Sequence, residues 1–187
     1  AAFPTIGIPA FEAIGKNSVE AAMVHAIARQ ESMFDPAAGS PVGARGLMQL
    51  MPGTASATAK KAGLTYEPGR LLEAQYNAQL GAAHLGDLME DYRGAFILVF
   101  AAYNAGPGNV KKWIAAHGDP RLPDVDPIDW VELIPFAETR NYVQRVMENL
   151  QVYRRRLAGP GTLAIETDLR AGAPKPAGEA QGESRPA

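Results

Sequence analysis

Residues 95–103 decide the fold class of this chain, and they read Ala-Phe-Ile-Leu-Val-Phe-Ala-Ala-Tyr. The run is apolar on every side, which is typical of a helix surrounded by other elements of a domain. It is too short to cross a membrane, because a spanning helix needs about 18 or more apolar residues. The sequence therefore predicts a central buried helix, which should end at the turn formed by Gly106, Pro107 and Gly108.

Segments with helical periodicity lie on both sides of this run and should pack around it. They cover residues 17–35, 54–63, 72–92, 109–117 and 138–157, with a proline-rich segment before the last. The first should begin at Asn17, because Asn17 and Glu20 have the spacing of a capping box. It should end at Asp35, because a residue that precedes a proline avoids the helical conformation. No alternating strand pattern is found, so the predicted fold class is mostly α.

The composition divides the chain into three parts. Residues 1–16 contain several prolines and glycines and are predicted to form an extended lead-in. Residues 17–157 are long enough to form one domain with its own core. Residues 158–187 are rich in Gly, Pro, Ala, Glu and Ser. We predict a flexible tail there, because such a segment buries too little apolar surface to offset the entropy of ordering.

Charge and residue usage exclude several kinds of function. The net charge of −2 gives no basic surface for nucleic acid. The absence of cysteine excludes disulfides, thiolate metal sites and a cysteine nucleophile. His25, His84 and His117 lack a metal-binding spacing, so neither a metal nor a cofactor is expected. No membrane span and no signal peptide are found, and the chain begins without Met, so we expect a piece of a longer protein.

Glu31 is the candidate catalytic group. It follows Met23 and Ile27 at helical spacing, so it should project from the apolar face near the end of the helix. A carboxyl in such surroundings is desolvated, which raises its pKa towards the value that a general acid needs. Periodicity alone also fits a solvated glutamate at the edge of the apolar stripe, which is the more common position.

Four sequence motifs favour the catalytic interpretation of Glu31 over the solvated one. They are AIARQES at 26–32, SPVGARGLMQLMPGT at 40–54, AAYNAGPG at 101–108 and IPFAETRNYV at 134–143. In this order, over roughly residues 20–157, they resemble the soluble lytic transglycosylases, and in particular the catalytic C-terminal domain of the large periplasmic members. The resemblance implies a lysozyme-like helical domain, similar to the goose type. It also implies an exported protein of the periplasm or cell envelope that acts on peptidoglycan glycan strands. A monomer without a membrane span is expected.

The resemblance implies roles for individual residues. Glu31 matches the catalytic acid/base of the family. The positions expected to line the glycan groove are Ser40, Gln49, Met51, Tyr103 and Glu138. Tyr103 could present its hydroxyl to Glu31 or to substrate. Each of the five also has an ordinary alternative role. Ser40 could be a turn residue, Gln49 a loop-stabilising amide and Met51 a core methionine. Tyr103 could be a core tyrosine bonded to backbone, and Glu138 a charge at a helix start.

The family mechanism needs one carboxylate. Glu31 would protonate the oxygen that bridges N-acetylmuramic acid and N-acetylglucosamine, and the 2-acetamido group would stabilise the cation. Glu31 would then take the proton of the C6 hydroxyl, giving a 1,6-anhydro product. One alternative is a lysozyme-type hydrolase, in which water attacks instead. Another is a non-catalytic peptidoglycan-binding module, which would be expected to have lost Glu31. A scaffold domain would leave the motifs unexplained.

Overall fold

The structure, a computed structural model, describes residues 3–159, 161 and 163–173. Within these residues the chain forms α1 (Ala21–Ser32), α2 (Pro52–Lys61), α3 (Ala74–Asp91), α4 (Phe96–Ala105), α5 (Pro107–His117), α6 (Pro127–Glu132), α7 (Ala137–Ala158) and α8 (Ile165–Leu169), with a 3-10 helix at Pro68–Leu72. The described residues include isolated β-bridges in the 39–50 loop but no strand. The mostly α fold class is confirmed.

α4 is the central buried helix that the sequence predicts. Its residues 97–102 are buried, and it contacts α3, α5 and α7. Gly106 has a φ of 84° and separates α4 from α5, which begins at Pro107. α5 starts two residues earlier than predicted, because proline is well suited to the first position of a helix. Among the described residues, no helix is long and apolar enough to span a bilayer.

α1 packs along α7 and carries the candidate acid towards it. Residues 22–28 of α1 are all buried, so α1 is a core helix rather than a surface helix with one apolar stripe. The packing of α1 on α7 fixes the position of the last turn of α1. A second, smaller apolar cluster lies where α2, the 3-10 helix and α3 meet, around Leu71 and Leu80.

The predicted capping box at the start of α1 is wrong. α1 begins at Ala21, and Glu20 occupies the cap position without a side-chain capping bond. The Asn17 side chain instead donates to Glu90 over 2.8 Å. Glu20 pairs with Arg154 of α7 at 2.6 Å. Both side chains thus bind partners distant in sequence, which local spacing does not reveal.

α6 begins at Pro127, where the proline-rich segment ends, and covers residues to which the sequence assigned no element. Asp126 caps it by accepting bonds from the backbone N–H groups of Ile128 and Asp129, and Pro127 takes its first position. An aspartate followed by proline is a helix-start signal that could have identified this element. Its Trp130 is buried and donates to the carbonyl of Gly118 over 2.9 Å.

The structure differs from the predicted tail over residues 163–173. α8 packs against the main core through its apolar residues. Its Asp168 is buried and accepts hydrogen bonds from Gln151 and, at 2.5 Å, from Arg154. The carbonyl oxygen of the Gln151 side chain accepts from Ala164 N over 2.9 Å. Residues 174–187 lie outside the described part of the chain.

The lead-in lacks helix over residues 3–16, as its composition predicts. It nevertheless lies against the domain. Gln75 and Gln79 of α3 donate to the carbonyls of Ala10 and Glu12, each over 2.8 Å. The Phe3 ring meets Tyr153 of α7 edge to face, with ring centres 5.8 Å apart.

Candidate active site

Glu31 lies in the last turn of α1 and is half-buried. The hydroxyl of Tyr142, a buried residue of α7, donates to Glu31 Oε1 over 2.7 Å. Burial raises the pKa of Glu31 from 4.5 to about 7, the Tyr142 hydrogen bond opposes this rise, and the negative charge of Glu138 adds to it. At neutral pH the carboxyl therefore has both protonated and ionised forms available, as a group that gives and then takes a proton requires.

α1 ends at Ser32 rather than at Asp35. The Ser32 hydroxyl donates to Leu47 O at 2.7 Å and lies 3.2 Å from Ala28 O, which holds the helix end against the following loop. Met33 and Phe34 then take left-handed conformations, with φ of 55° and 68°. Asp35 accepts a bond from Ala37 N over 2.9 Å, which is a turn contact. Because the helix stops before Met33, Glu31 is the second-last residue of α1.

Ser40 and Gln49 both bind the loop that contains them. Ser40 Oγ accepts from Ala44 N over 3.0 Å. The Gln49 amide donates to Gly46 O over 2.9 Å and to Ala38 O over 3.1 Å, and Gln49 itself has a φ of 48°. In this structure both side chains thus have the loop-stabilising contacts that the sequence allowed as their alternative roles.

Asn77 of α3 is a site-supporting residue that the sequence reasoning missed. It is fully buried, accepts from Met48 N over 2.7 Å and donates to Arg45 O and Leu71 O, each over 2.9 Å. Gly46 lies beside it with a φ of 76°, and a Cβ there would overlap the Leu71 carbonyl and the Asn77 amide. A polar amide among the apolar residues of α3 is the one sequence signal for this role.

Tyr103 does not hydrogen-bond to Glu31. Its hydroxyl donates to Met48 O over 2.9 Å, and its ring packs on His84 with ring centres 5.4 Å apart. Burial raises its pKa well above the usual value, and the charge of Glu31 contributes to the same rise. The tyrosine that reaches Glu31 is instead Tyr142, one helical turn after Glu138 in the fourth motif, which we did not single out from the sequence.

Glu138 and Met51 are both exposed. Glu138 lies in the first turn of α7, close enough for its charge to act on Glu31. Met51 precedes α2 and is 42% exposed, so it is not a core methionine. Thr139 donates to the Asn104 side chain over 2.7 Å, which ties the end of α4 to the start of α7. Glu31 is therefore flanked by the 37–51 loop on one side and by the first turns of α7 on the other.

The arrangement provides one carboxyl suited to proton transfer. Oε1 of Glu31 accepts the hydrogen bond from Tyr142, and the Glu31 side chain is half-buried. A second carboxylate, Glu138, lies near enough to influence the pKa of Glu31. Such a site can protonate a leaving group and afterwards accept a proton.

Comparisons with known proteins agree with this geometry. The family model of the Transglycosylase SLT domain matches residues 8–121, and that of the Soluble lytic transglycosylase helical domain matches residues 133–161. The soluble lytic murein transglycosylase of Escherichia coli (strain K12) is 41% identical over 145 residues, covering 76% of this chain and 22% of that protein. Its Salmonella typhimurium counterpart is 44% identical over 131 residues, covering 69% and 20%.

Solved structures show the same relationship. The 70 kDa soluble lytic transglycosylase of Escherichia coli matches with a TM-score of 0.69 and 39% identity, over 75% of this chain and 22% of that one. An inactive mutant of the lytic transglycosylase Slt from Pseudomonas aeruginosa matches with a TM-score of 0.68 and 40% identity, over 78% and 23%. A complex of the 70 kDa enzyme with bulgecin A gives a TM-score of 0.70 and 39% identity, over 79% and 24%.

This chain spans about a fifth of the length of the curated relatives described above. The likeness confirms the predicted mostly α, lysozyme-like fold. One family model alone matches more than half of the chain, and the helices that carry the candidate site fall within the two matched segments. The chain therefore belongs to the transglycosylase SLT family.

Proposed function

We propose that this chain is the catalytic domain of a peptidoglycan lytic transglycosylase. It would cleave the β-1,4 bond between N-acetylmuramic acid and N-acetylglucosamine and form a 1,6-anhydro-N-acetylmuramic acid end. The observation that carries the proposal is Glu31, a half-buried acid whose pKa is raised to about 7, in a chain of this family. The relatives named above are murein transglycosylases, which supports the substrate class.

In the first step Glu31 acts as the acid. Its proton passes to the bridging oxygen, the bond between that oxygen and C1 of the muramic sugar breaks, and the bonding electrons leave with the oxygen. The 2-acetamido oxygen of the same sugar bonds to C1 and forms an oxazolinium ion. The hydrogen bond from Tyr142 orients the carboxyl and helps to stabilise the carboxylate that remains.

In the second step the carboxylate acts as the base. Glu31 takes the proton of the C6 hydroxyl, O6 bonds to C1, and the acetamido oxygen leaves C1. Glu31 is protonated again and the cycle closes without a metal or cofactor. The C6 hydroxyl is part of the reacting sugar, so its attack has a large proximity advantage over that of water.

Ser40, Gln49, Met51, Tyr103 and Glu138 are proposed to form the walls of the glycan groove. Exposed Met51 offers apolar surface to a sugar ring, and exposed Glu138 offers an acceptor for hydroxyl groups. Ser40, Gln49 and Tyr103 hold the backbone of the 38–49 loop, so their contribution includes fixing the shape of the wall.

A hydrolase of the same bond is the second candidate, and the observation that favours it is Glu138. This carboxylate acts electrostatically on Glu31. A second carboxylate is what a hydrolytic mechanism uses to activate water or to stabilise the cation. A binding-only module has no comparable support, because a raised pKa at Glu31 serves proton transfer rather than binding.

Mass spectrometry of the products distinguishes the two reactions. Purified peptidoglycan is digested in water enriched in heavy oxygen, and the released muropeptides are weighed. We expect muramic acid ends that are lighter by one water and carry no label. Labelled, reducing muramic acid ends would establish the hydrolase instead. The Glu31→Gln variant serves as the control, and it should release neither product at an appreciable rate.

The cell envelope is the proposed location, and a monomer is the proposed state. Relatives of this chain include membrane-bound lytic murein transglycosylases, and murein is a component of the envelope. Cell fractionation would test the location, and light scattering of the purified chain would test the state. Recovery of the protein only from the cytoplasm, or a concentration-independent dimer, would contradict these two proposals.

A further inference from the structure

Met33 combines a backbone conformation that favours glycine with a large, exposed side chain. It directly follows α1 and has a left-handed conformation with a φ of 55°. Glycine is favoured at such positions, because a side chain makes the conformation strained. Met33 is also 67% exposed, so little of its side chain is buried to offset the strain. The fold alone therefore gives no reason for a large apolar side chain here.

The position of Met33 relative to Glu31 suggests a reason. It follows Glu31 by two residues, so their Cα atoms lie at most about 7 Å apart. The loop between α1 and α2 exposes two further apolar residues, Val42 at 77% and Met51 at 42%. Apolar surface around a few polar groups is the usual composition of a ligand site, and methionine adapts its shape to a ligand.

We propose that Met33 is a substrate-binding residue that packs on the apolar face of the sugar ring next to the bond cleaved at Glu31. This inference rests on the proposed function. The bridging oxygen must come within hydrogen-bond distance of Glu31, so the adjoining ring lies within reach of a methionine two residues away. A pyranose presents C–H groups on its faces, and an unbranched thioether can cover them without a polar partner.

Three variants test the proposal: Met33→Gly, Met33→Ala and Met33→Leu. Leu163→Ala is the matched control, because Leu163 is 55% exposed. Its neighbour Ala164 is bonded to Gln151, which lies nine residues along α7 from Tyr142, or about 13 Å. The rate of muropeptide release is measured on intact peptidoglycan and on glycan strands freed of peptide. The melting temperature of each variant is measured alongside.

The expected result separates binding from folding. Met33→Gly should melt a few degrees higher than the parent, because the left-handed strain is removed. On both substrates Met33→Gly and Met33→Ala should raise KM roughly tenfold with kcat unchanged. Met33→Leu and the Leu163→Ala control should stay near parental values.

Several results would overturn the inference. Parental KM in both truncated variants would show that the side chain does not bind substrate. A loss confined to peptide-bearing peptidoglycan would assign the contact to the peptide, and a loss in kcat alone would assign it to the chemistry. Either outcome contradicts a sugar contact. If the parent chain itself released no muropeptide, the proposed function would fail as well, which the parental assay shows separately.

Discussion

Tyr142 donates its hydroxyl to Glu31 over 2.7 Å, although the two residues lie 111 positions apart in the chain. This bond joins the end of α1 to α7 and opposes the rise in the pKa of Glu31 that burial causes. It thus keeps the acid within the range in which both of its forms are available near neutral pH.

Tyr142→Phe should raise the pKa of Glu31 above about 7, because the substitution removes the one contribution that lowers it. The alkaline limb of the pH profile of kcat/KM should move to higher pH, and the maximum rate should fall. Tyr103→Phe is the control for the position of the limb, though not for the rate, since that hydroxyl bonds Met48 O and not Glu31. An unshifted alkaline limb in Tyr142→Phe would contradict the role of this bond.

Glu138→Gln should have the opposite effect on the same limb. The negative charge of Glu138 raises the pKa of Glu31, so its removal lowers that pKa and moves the alkaline limb to lower pH. The product should remain the 1,6-anhydro form. A lower rate of product formation without any shift of the alkaline limb would show that Glu138 acts by contact with substrate alone.

Glu31→Gln should remove turnover and change how stability depends on pH. General acid catalysis contributes about a hundredfold to ten-thousandfold, so a loss in that range or larger is expected. The folded state keeps the proton up to about pH 7, whereas an ordinary glutamate releases it near 4.5. Stability present below pH 4.5 is therefore lost as the pH rises through 7, by at most about 3 kcal/mol.

Urea unfolding at pH 5 and pH 8 measures how stability depends on the ionisation of Glu31, because most of that ionisation takes place between the two pH values. The variant lacks the titrating group, so its free energy of unfolding should exceed that of the parent by more at pH 8 than at pH 5. An equal difference at both values would show that Glu31 ionises normally in the folded protein.

Removal of residues 159–187 should lower the melting temperature, because α8 would be lost. Asp168→Asn should produce part of the same loss, since Asp168 is buried and accepts from Arg154. Loss of one partner in a partly buried pair should cost about 1–2 kcal/mol, which is several degrees for a domain of this size. Removal of residues 174–187 alone is the control. Full retention of the melting temperature after the longer deletion would show that α8 does not stabilise the domain.

Features that depend on neighbouring residues were predictable from the sequence. The all-apolar composition of residues 95–103 predicts α4, whose physical cause lies within its own residues. The spacing of Glu31 behind Met23 and Ile27 fits both a desolvated and a solvated position, and the four motifs favoured the desolvated one, which α7 helps to create. A pattern within one stretch of sequence is therefore enough to predict a buried helix, whereas the surroundings of a single side chain also depend on other helices.

Features that depend on distant partners were not predictable in the same way. Asn17 binds Glu90 over 73 positions and Glu20 binds Arg154 over 134, so neither caps α1. The local spacing predicts a capping box, but both side chains bind residues of other helices instead. Asp168 is similar, because α7 supplies its partners and the composition of its own segment does not reveal them.

The bonds of Ser40, Gln49 and Asn77 to the 38–48 backbone have a consequence for affinity. A wall held by the protein's own side chains already has its shape before a glycan arrives. Binding then does not have to freeze a mobile segment, and the entropy of ordering it was lost during folding instead. More of the free energy of each sugar contact therefore remains for holding the strand in register against the acid.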